Sequence, residues 1–522
     1  MDRRVRLGAA LLLAACAQPA TGQTDAAGAA PLSVIPWLSE TLDQPTPDPT
    51  PAPQAKPDLP GVSAPPVPHA ITVTPLAAPD RAATGLMSVT RAGLPPDLWQ
   101  GTDPVKLAQV LRAMPIHSQP ALQEAVSRLV LVEAAPPQGA RDALLLARID
   151  ALLIRGALEP AQALLERAGP DTPDLFRRWF DILLLSGTED RACATLAAKP
   201  DLSPNYETRV FCLARGGRWH TAALTLETAT ALGQITQDTR DRLARFLDPD
   251  IFEGEPMPPL PDPITPLTFR LLEAVGEHVP TTHLPLAFAQ TDLRHIVGWK
   301  SQIEAAERLA QSGALSVNRL LGIYTARLPA ASGGVWDRVA AVQALDIAIT
   351  AGQADTVAIR LPAALETMRV AGLEAVLAQL FGARLARLDL PPRSAGLAHA
   401  MALVADATPR PLADSAMAAL PAPVAFATAL AQGTPPTVAA PSALASALRA
   451  GLARDAVPDR YAAQIAEGRW GEALLQALVT LSAGAQTDPE DAGDAAALMA
   501  QAGMEDLARR AAVQILLLGD AG

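Results

Sequence analysis

Two cysteines near the middle of the chain offer the most definite chemistry. Cys193 and Cys212 lie symmetrically about a turn signal, Ser203-Pro204. Antiparallel helices folding back at that turn would bring the two thiols level, and a disulfide forms if the Cα atoms come within about 7 Å. Closing a loop of this size would stabilise the fold by roughly 3 kcal/mol. The alternatives are two buried free thiols or a redox or metal role, although the chain has no C-x-x-C and no zinc-like spacing. A third cysteine, Cys16, ends a short apolar run, Leu7 to Leu13, after Ala14 and Ala15.

Other reactive residue types are sparse. Glu277-His278, His283 and His295 come close together, but their spacing fits no common metal motif and Pro280 interrupts a helical register. Surface or loop histidines are the expectation there. Ser332-Gly333-Gly334 precedes a helix and offers either amides for an anion or a turn and cap. There is no G-x-S-x-G, no phosphate-binding loop and no dinucleotide fingerprint. Carboxylates are scattered over helix surfaces. The chain therefore reads as a non-enzyme without cofactor or metal.

Composition says which elements must carry these residues. Apolar residues make up 49% of 522, but aromatics only 4%, so alanine and leucine fill the core and favour helices. A net charge of −12 argues against nucleic acid, which needs a basic face. Lysine occurs only at 56, 106, 199 and 300, as the codon bias of a GC-rich genome would produce. Residues 16–94 are too rich in proline and alanine to build a core and read as an extended tether, reaching on the order of 50 Å or more. Within it, Ser33 to Leu42 concentrates apolar residues. Ile35, Trp37 and Leu38 would serve as a short linear motif docking on a partner, or would pack back on their own domain.

From about Pro95 the pattern is helix after helix, with a period near 30 residues between Arg141 and Leu247. Gly156-Ala157-Leu158-Glu159-Pro160-Ala161, Gly187-Thr188-Glu189-Asp190-Arg191-Ala192 and Gly217-Arg218-Trp219-His220-Thr221-Ala222 recur. Gly turns the chain after one helix, a large residue packs into the hairpin, and Ala allows close approach. The signature returns at Gly468-Arg469-Trp470-Gly471-Glu472-Ala473 and at Gly503 to Ala508. This spacing resembles the second half of a tetratricopeptide repeat, best matched by Trp219, Ala222, Leu226 and Ala229. Glu189 departs from it by replacing the large residue, and only Tyr206 sits where the first helix of a unit carries an aromatic. The resemblance implies an all-α solenoid of antiparallel hairpins in two arrays, 95–250 and 266–522, joined by a proline-rich linker at 251–265. Residues 409–441, rich in Ala and Pro, are expected to mix short helices with loops.

The leader, 1–15, resembles a lipoprotein signal peptide. In that family the cysteine is diacylated and becomes the N-terminus, which would make Cys16 a lipid anchor. Ordinary signal-peptidase cleavage to a soluble periplasmic form is the main alternative, and an uncleaved or cytoplasmic chain the other. Ala17 after the cysteine implies outer-membrane sorting in the family. Together the resemblances imply a periplasmic, lipid-anchored, non-catalytic scaffold of the Gram-negative envelope that holds a protein or peptide partner. The alternative is a peptidoglycan-binding or -processing protein akin to the helical superhelix of lytic transglycosylases, although no terminal lysozyme-like segment is visible.

Overall fold

Leucine and alanine side chains recur along almost every segment of the chain that turns helical. The computed structural model describes residues 81–139, 142–203, 205–412, 414–433 and 438–518. The leader 1–15, Cys16, the motif residues Ile35, Trp37 and Leu38, and the tether as far as residue 80 lie outside them. Among the described residues the fold is all-α, with one two-residue parallel strand pair, Met87–Ser88 with Val132–Glu133. Proline opens many of the helices, at Pro104, Pro120, Pro173, Pro266, Pro392 and Pro489, where its missing N–H costs nothing. Asp103 completes one such start by accepting from the Val105 and Lys106 amides at 2.8 and 2.9 Å.

Between Ala143 and Leu247 each helix packs on its chain neighbour: Ala143–Ile154, Leu158–Ala168, Pro173–Ser186, Asp190–Ala198, Tyr206–Arg215, Trp219–Ala231 and Gln237–Leu247. Gly156, Gly187 and Gly217 all take positive φ at the hairpin turns, the conformation that only glycine adopts without strain. Ala161, Ala192 and Ala222 behind them are completely buried. Leu158 is buried as the spacing predicts, whereas Trp219 stays half exposed against Phe246.

Composition places residues 81–94 in the tether, but the structure places them in the folded unit. Ala82, Ala92 and Leu94 are buried, and the Leu86 amide donates to the Leu131 carbonyl at 2.7 Å. The partners lie more than 40 residues away in sequence, so no local average of hydrophobicity reveals them. Arg148 locks this region. Fully buried, its guanidinium donates to the carbonyls of Thr84, Val130 and Val132 at 2.7–2.8 Å. Burial without a carboxylate lowers its pKa to about 10.

The buried clusters are not divided in chain order. One gathers residues 92–288 together with 426–515, and the second gathers mainly 286–404. The proline run at 251–265 lies on the helix Gln237–Leu247, where Arg245 and Arg242 donate to the Pro256 and Pro259 carbonyls. Beyond it, Pro266–Ala274 packs on Pro173–Ser186. Late helices Trp470–Ser482 and Glu505–Leu518 pack on the early helix Pro120–Leu131. At this closure the Gly471 amide donates to the Leu98 carbonyl at 2.8 Å, and a Cβ on Gly471 would meet the Trp99 ring at 2.2 Å. Buried Glu472 pairs with both Lys106 and Arg469.

Candidate functional site

The hairpin around the two cysteines is built from the turn outward. Asn205 accepts from the Glu207 amide at 2.7 Å and starts the helix Tyr206–Arg215. Arg209 donates to the Ser203 and Pro200 carbonyls and holds the preceding loop. Cys193 and Cys212 then lie at disulfide distance, with Sγ–Sγ 1.99 Å and Cα–Cα 4.9 Å. Both are buried. Their outer side forms a shallow groove with Leu196, Ala197, Pro200 and Leu213, flanked by Arg209 and Arg218.

Glu189, the departure from the repeat, is 3% exposed and receives the Arg270 guanidinium at 3.1 Å, with Arg215 at 3.8 Å. Arg215 also binds Asp190, while Arg270 and Arg294 both pair with Glu273. An ion chain therefore joins the cysteine hairpin to Pro266–Ala274. The residue that departs from the repeat spacing is the one that pairs with Pro266–Ala274.

An aromatic series runs beside this chain. Successive ring centroids from Phe176 through Phe180 and Phe211 to Phe246 are 6.3, 6.1 and 5.4 Å apart. On the same helix as Phe176 and Phe180, partly buried Asp181 has its pKa pushed up to about 7 by burial, against the opposing pull of Arg177 and Arg178. Trp219, against Phe246, ends the series half exposed.

Glu277 and His278 do reach one pocket, of about 210 Å³, with Glu273, Asp292 and Arg294. Asp292 is buried, accepts from the Thr281 hydroxyl at 2.5 Å, and has its pKa raised chiefly by burial. His283 and His295 are exposed outside it. Among the described residues no group of three or more His, Cys, Asp or Glu is arranged to hold a metal. At Ser332-Gly333-Gly334 the Gly333 amide donates to the Asp337 carboxylate at 2.9 Å, so the helix Val335–Thr350 supplies its own acceptor.

Sequence reasoning missed a second place altogether. Two cavities, of about 250 and 490 Å³, adjoin the helix Pro392–Val404 and share His399, Arg410, Pro411 and Leu412 in their walls. His399 is 5% exposed and lies 2.9 Å from the Thr428 hydroxyl through Nε2. Burial lowers its pKa. A single histidine in an alanine-rich helix carries no spacing signal, and the wall it faces comes from the Ala/Pro-rich stretch. Comparison with protein-family models, with curated proteins and with solved structures gives no match. No helix among the described residues is long and apolar enough to cross a membrane.

Proposed function

We propose that this chain is an exported, lipid-anchored, non-catalytic scaffold of the Gram-negative envelope. In this reading its tetratricopeptide-like hairpins form a solenoid that holds a protein or peptide partner. The observation that carries it is the Cys193–Cys212 pair at disulfide distance, since disulfides persist in oxidising compartments such as the periplasm. Half-exposed Trp219 supports the partner, because tryptophan is enriched among the few side chains that carry most of the energy of protein interfaces. Cys16 is the lipid attachment, the proline-rich segment the tether, and Ile35, Trp37 and Leu38 a docking motif within it.

Labelled palmitate in cells tests the anchor: incorporation into the wild type and its loss in Cys16→Ser are expected. Crosslinking in intact cells, comparing the full chain with one lacking Ser33 to Leu42, tests the motif. An unchanged set of crosslinked partners removes the motif from the proposal. Sedimentation with purified peptidoglycan, followed by a search for released muropeptides, tests the whole reading. Binding or release would replace the scaffold with a glycan-directed role.

A further inference from the structure

The Cys193–Cys212 pair braces its hairpin, but one side of it is open. Both residues keep a little exposure, 8% and 7%, and both line the groove of about 160 Å³ on the outer side of the hairpin. Leu196, Ala197, Pro200 and Leu213 complete the apolar lining, and the two charged residues in it are Arg209 and Arg218. Among the described residues no carboxylate lines this groove. Arg209 is partly committed to the Ser203 and Pro200 carbonyls. Arg218 is exposed and makes no hydrogen bond or ion pair among the described residues.

The other charges of the hairpin leave that positive balance in place. Asp190 is held by Arg215, Glu189 by Arg270, and Arg191 by Glu166. Glu207 faces Arg242. Lys199 and Asp201, exposed on either side of Pro200, offset one another. A disulfide opens when a thiolate attacks one sulfur and the other departs as a thiolate. Cationic neighbours favour both halves of that event, by attracting an anionic attacker and by stabilising the departing thiolate.

We infer that Cys193–Cys212 is a site of thiol–disulfide exchange, selective for thiols that carry a carboxylate. The attacking thiolate forms a mixed disulfide with one cysteine, and the electron pair of the broken S–S bond leaves on the other, which takes up a proton. A second thiolate of the same class attacks the reagent sulfur of the mixed disulfide. It forms the reagent's own disulfide and releases the remaining cysteine, which is protonated in turn. Two electrons thus pass from two thiols to the protein. Neither the lipid anchor nor the partner enters this chemistry.

Reduction of the folded full chain by 3-mercaptopropionate, 2-mercaptoethanol and cysteamine, which carry negative, no and positive charge, tests it. Alkylation and peptide mapping follow free Cys193 and Cys212 with time. Each rate per thiolate is divided by that thiol's rate on bis(2-hydroxyethyl) disulfide, which removes intrinsic nucleophilicity. On this scale 3-mercaptopropionate should lead 2-mercaptoethanol by about fivefold, as two nearby cations at a wet surface would produce, and cysteamine should trail. High salt should shrink the lead. Arg218→Ala should cut it to about twofold and Arg218→Lys should keep it, with thermal midpoints confirming that both variants fold. No reduction of the folded chain overturns the inference, as do equal scaled rates for the three thiols or a lead that survives Arg218→Ala. Free thiols at both cysteines before any reagent is added would remove the inference and the main support of the scaffold proposal together. Failure of exchange at an intact disulfide leaves that proposal standing.

Discussion

The cysteine hairpin and the cavity region around His399 solve opposite problems with similar helices. In the hairpin, Ala192, Ala214 and Ala222 are almost or completely buried, the cysteines sit at disulfide distance, and Glu189 is tied to a helix from outside the repeat. Around His399, Ala395 remains half-buried beside a cavity and the covering chain at 405–412 has no regular structure. Asp406 there takes a φ of 56°. Where one glycine-spaced unit follows another, each supplies the face its neighbour needs. Where the repeat stops, chain without regular structure lines the space beside Pro392–Val404.

The largest effect should come from uncoupling the hairpin from its outside helix. Arg270→Ala leaves buried Glu189 with only Arg215 at 3.8 Å and should cost about 3 kcal/mol, since losing the close partner of a buried pair leaves a poorly compensated charge. Replacing both, Glu189→Leu with Arg270→Met, should recover most of that loss. Chemical denaturation of the three proteins measures this, and equal losses in the single and double variants would refute the account. Close behind stands the cysteine pair. Cys193→Ser with Cys212→Ser should lose about 3 kcal/mol by relieving the constraint on the unfolded chain. Amide exchange should rise around residues 187–231 and stay unchanged around His399.

A pair of identical substitutions sharpens the contrast in packing. Ala192→Leu forces three extra heavy atoms into a closed helix contact and should cost about 2 kcal/mol. Ala395→Leu adds the same atoms beside a cavity and should be neutral or stabilise by up to about 1 kcal/mol. Thermal melts of the two variants decide between them. Equal penalties would mean the cavity walls are as tight as the repeat.

How far each region can be read from sequence follows the same division. Gly156, Gly187 and Gly217 announce their turns because the residue type and the backbone conformation are the same fact. The cysteines could be paired because a turn between them sets their levels. Glu189 reads as a defect in the repeat, because Arg270, which explains it, lies 81 residues away. The fold-in of residues 81–94 and the triple carbonyl bond of Arg148 are hidden for the same reason. His399 gives no signal, since a cavity is defined by what neighbouring helices fail to fill. The short pattern is local, and the site-forming contacts are between distant parts of the chain.

The smallest effect concerns charge rather than packing, and it belongs to the hairpin side. Asp181 has a folded pKa of about 7 against a reference of 3.8. Between those values the native state holds a proton that the unfolded chain has released, so stability from this group rises as pH falls and is lost as pH climbs through 7. Asp181→Asn removes the ionised form that is disfavoured at high pH. The variant should therefore exceed the wild type by about 1–2 kcal/mol near pH 8, a figure discounted for partial exposure. The advantage should shrink steadily toward about pH 4. His117 and His399, whose pKa values burial lowers, act in the opposite sense below their unfolded pKa, with stability falling as the unfolded histidines take up protons. They are common to both proteins, so the difference between variant and wild type isolates Asp181. A difference that did not change with pH would mean the carboxylate is solvated in the native state and that the helix Pro173–Ser186 packs less tightly around it than the hairpin packs around Glu189.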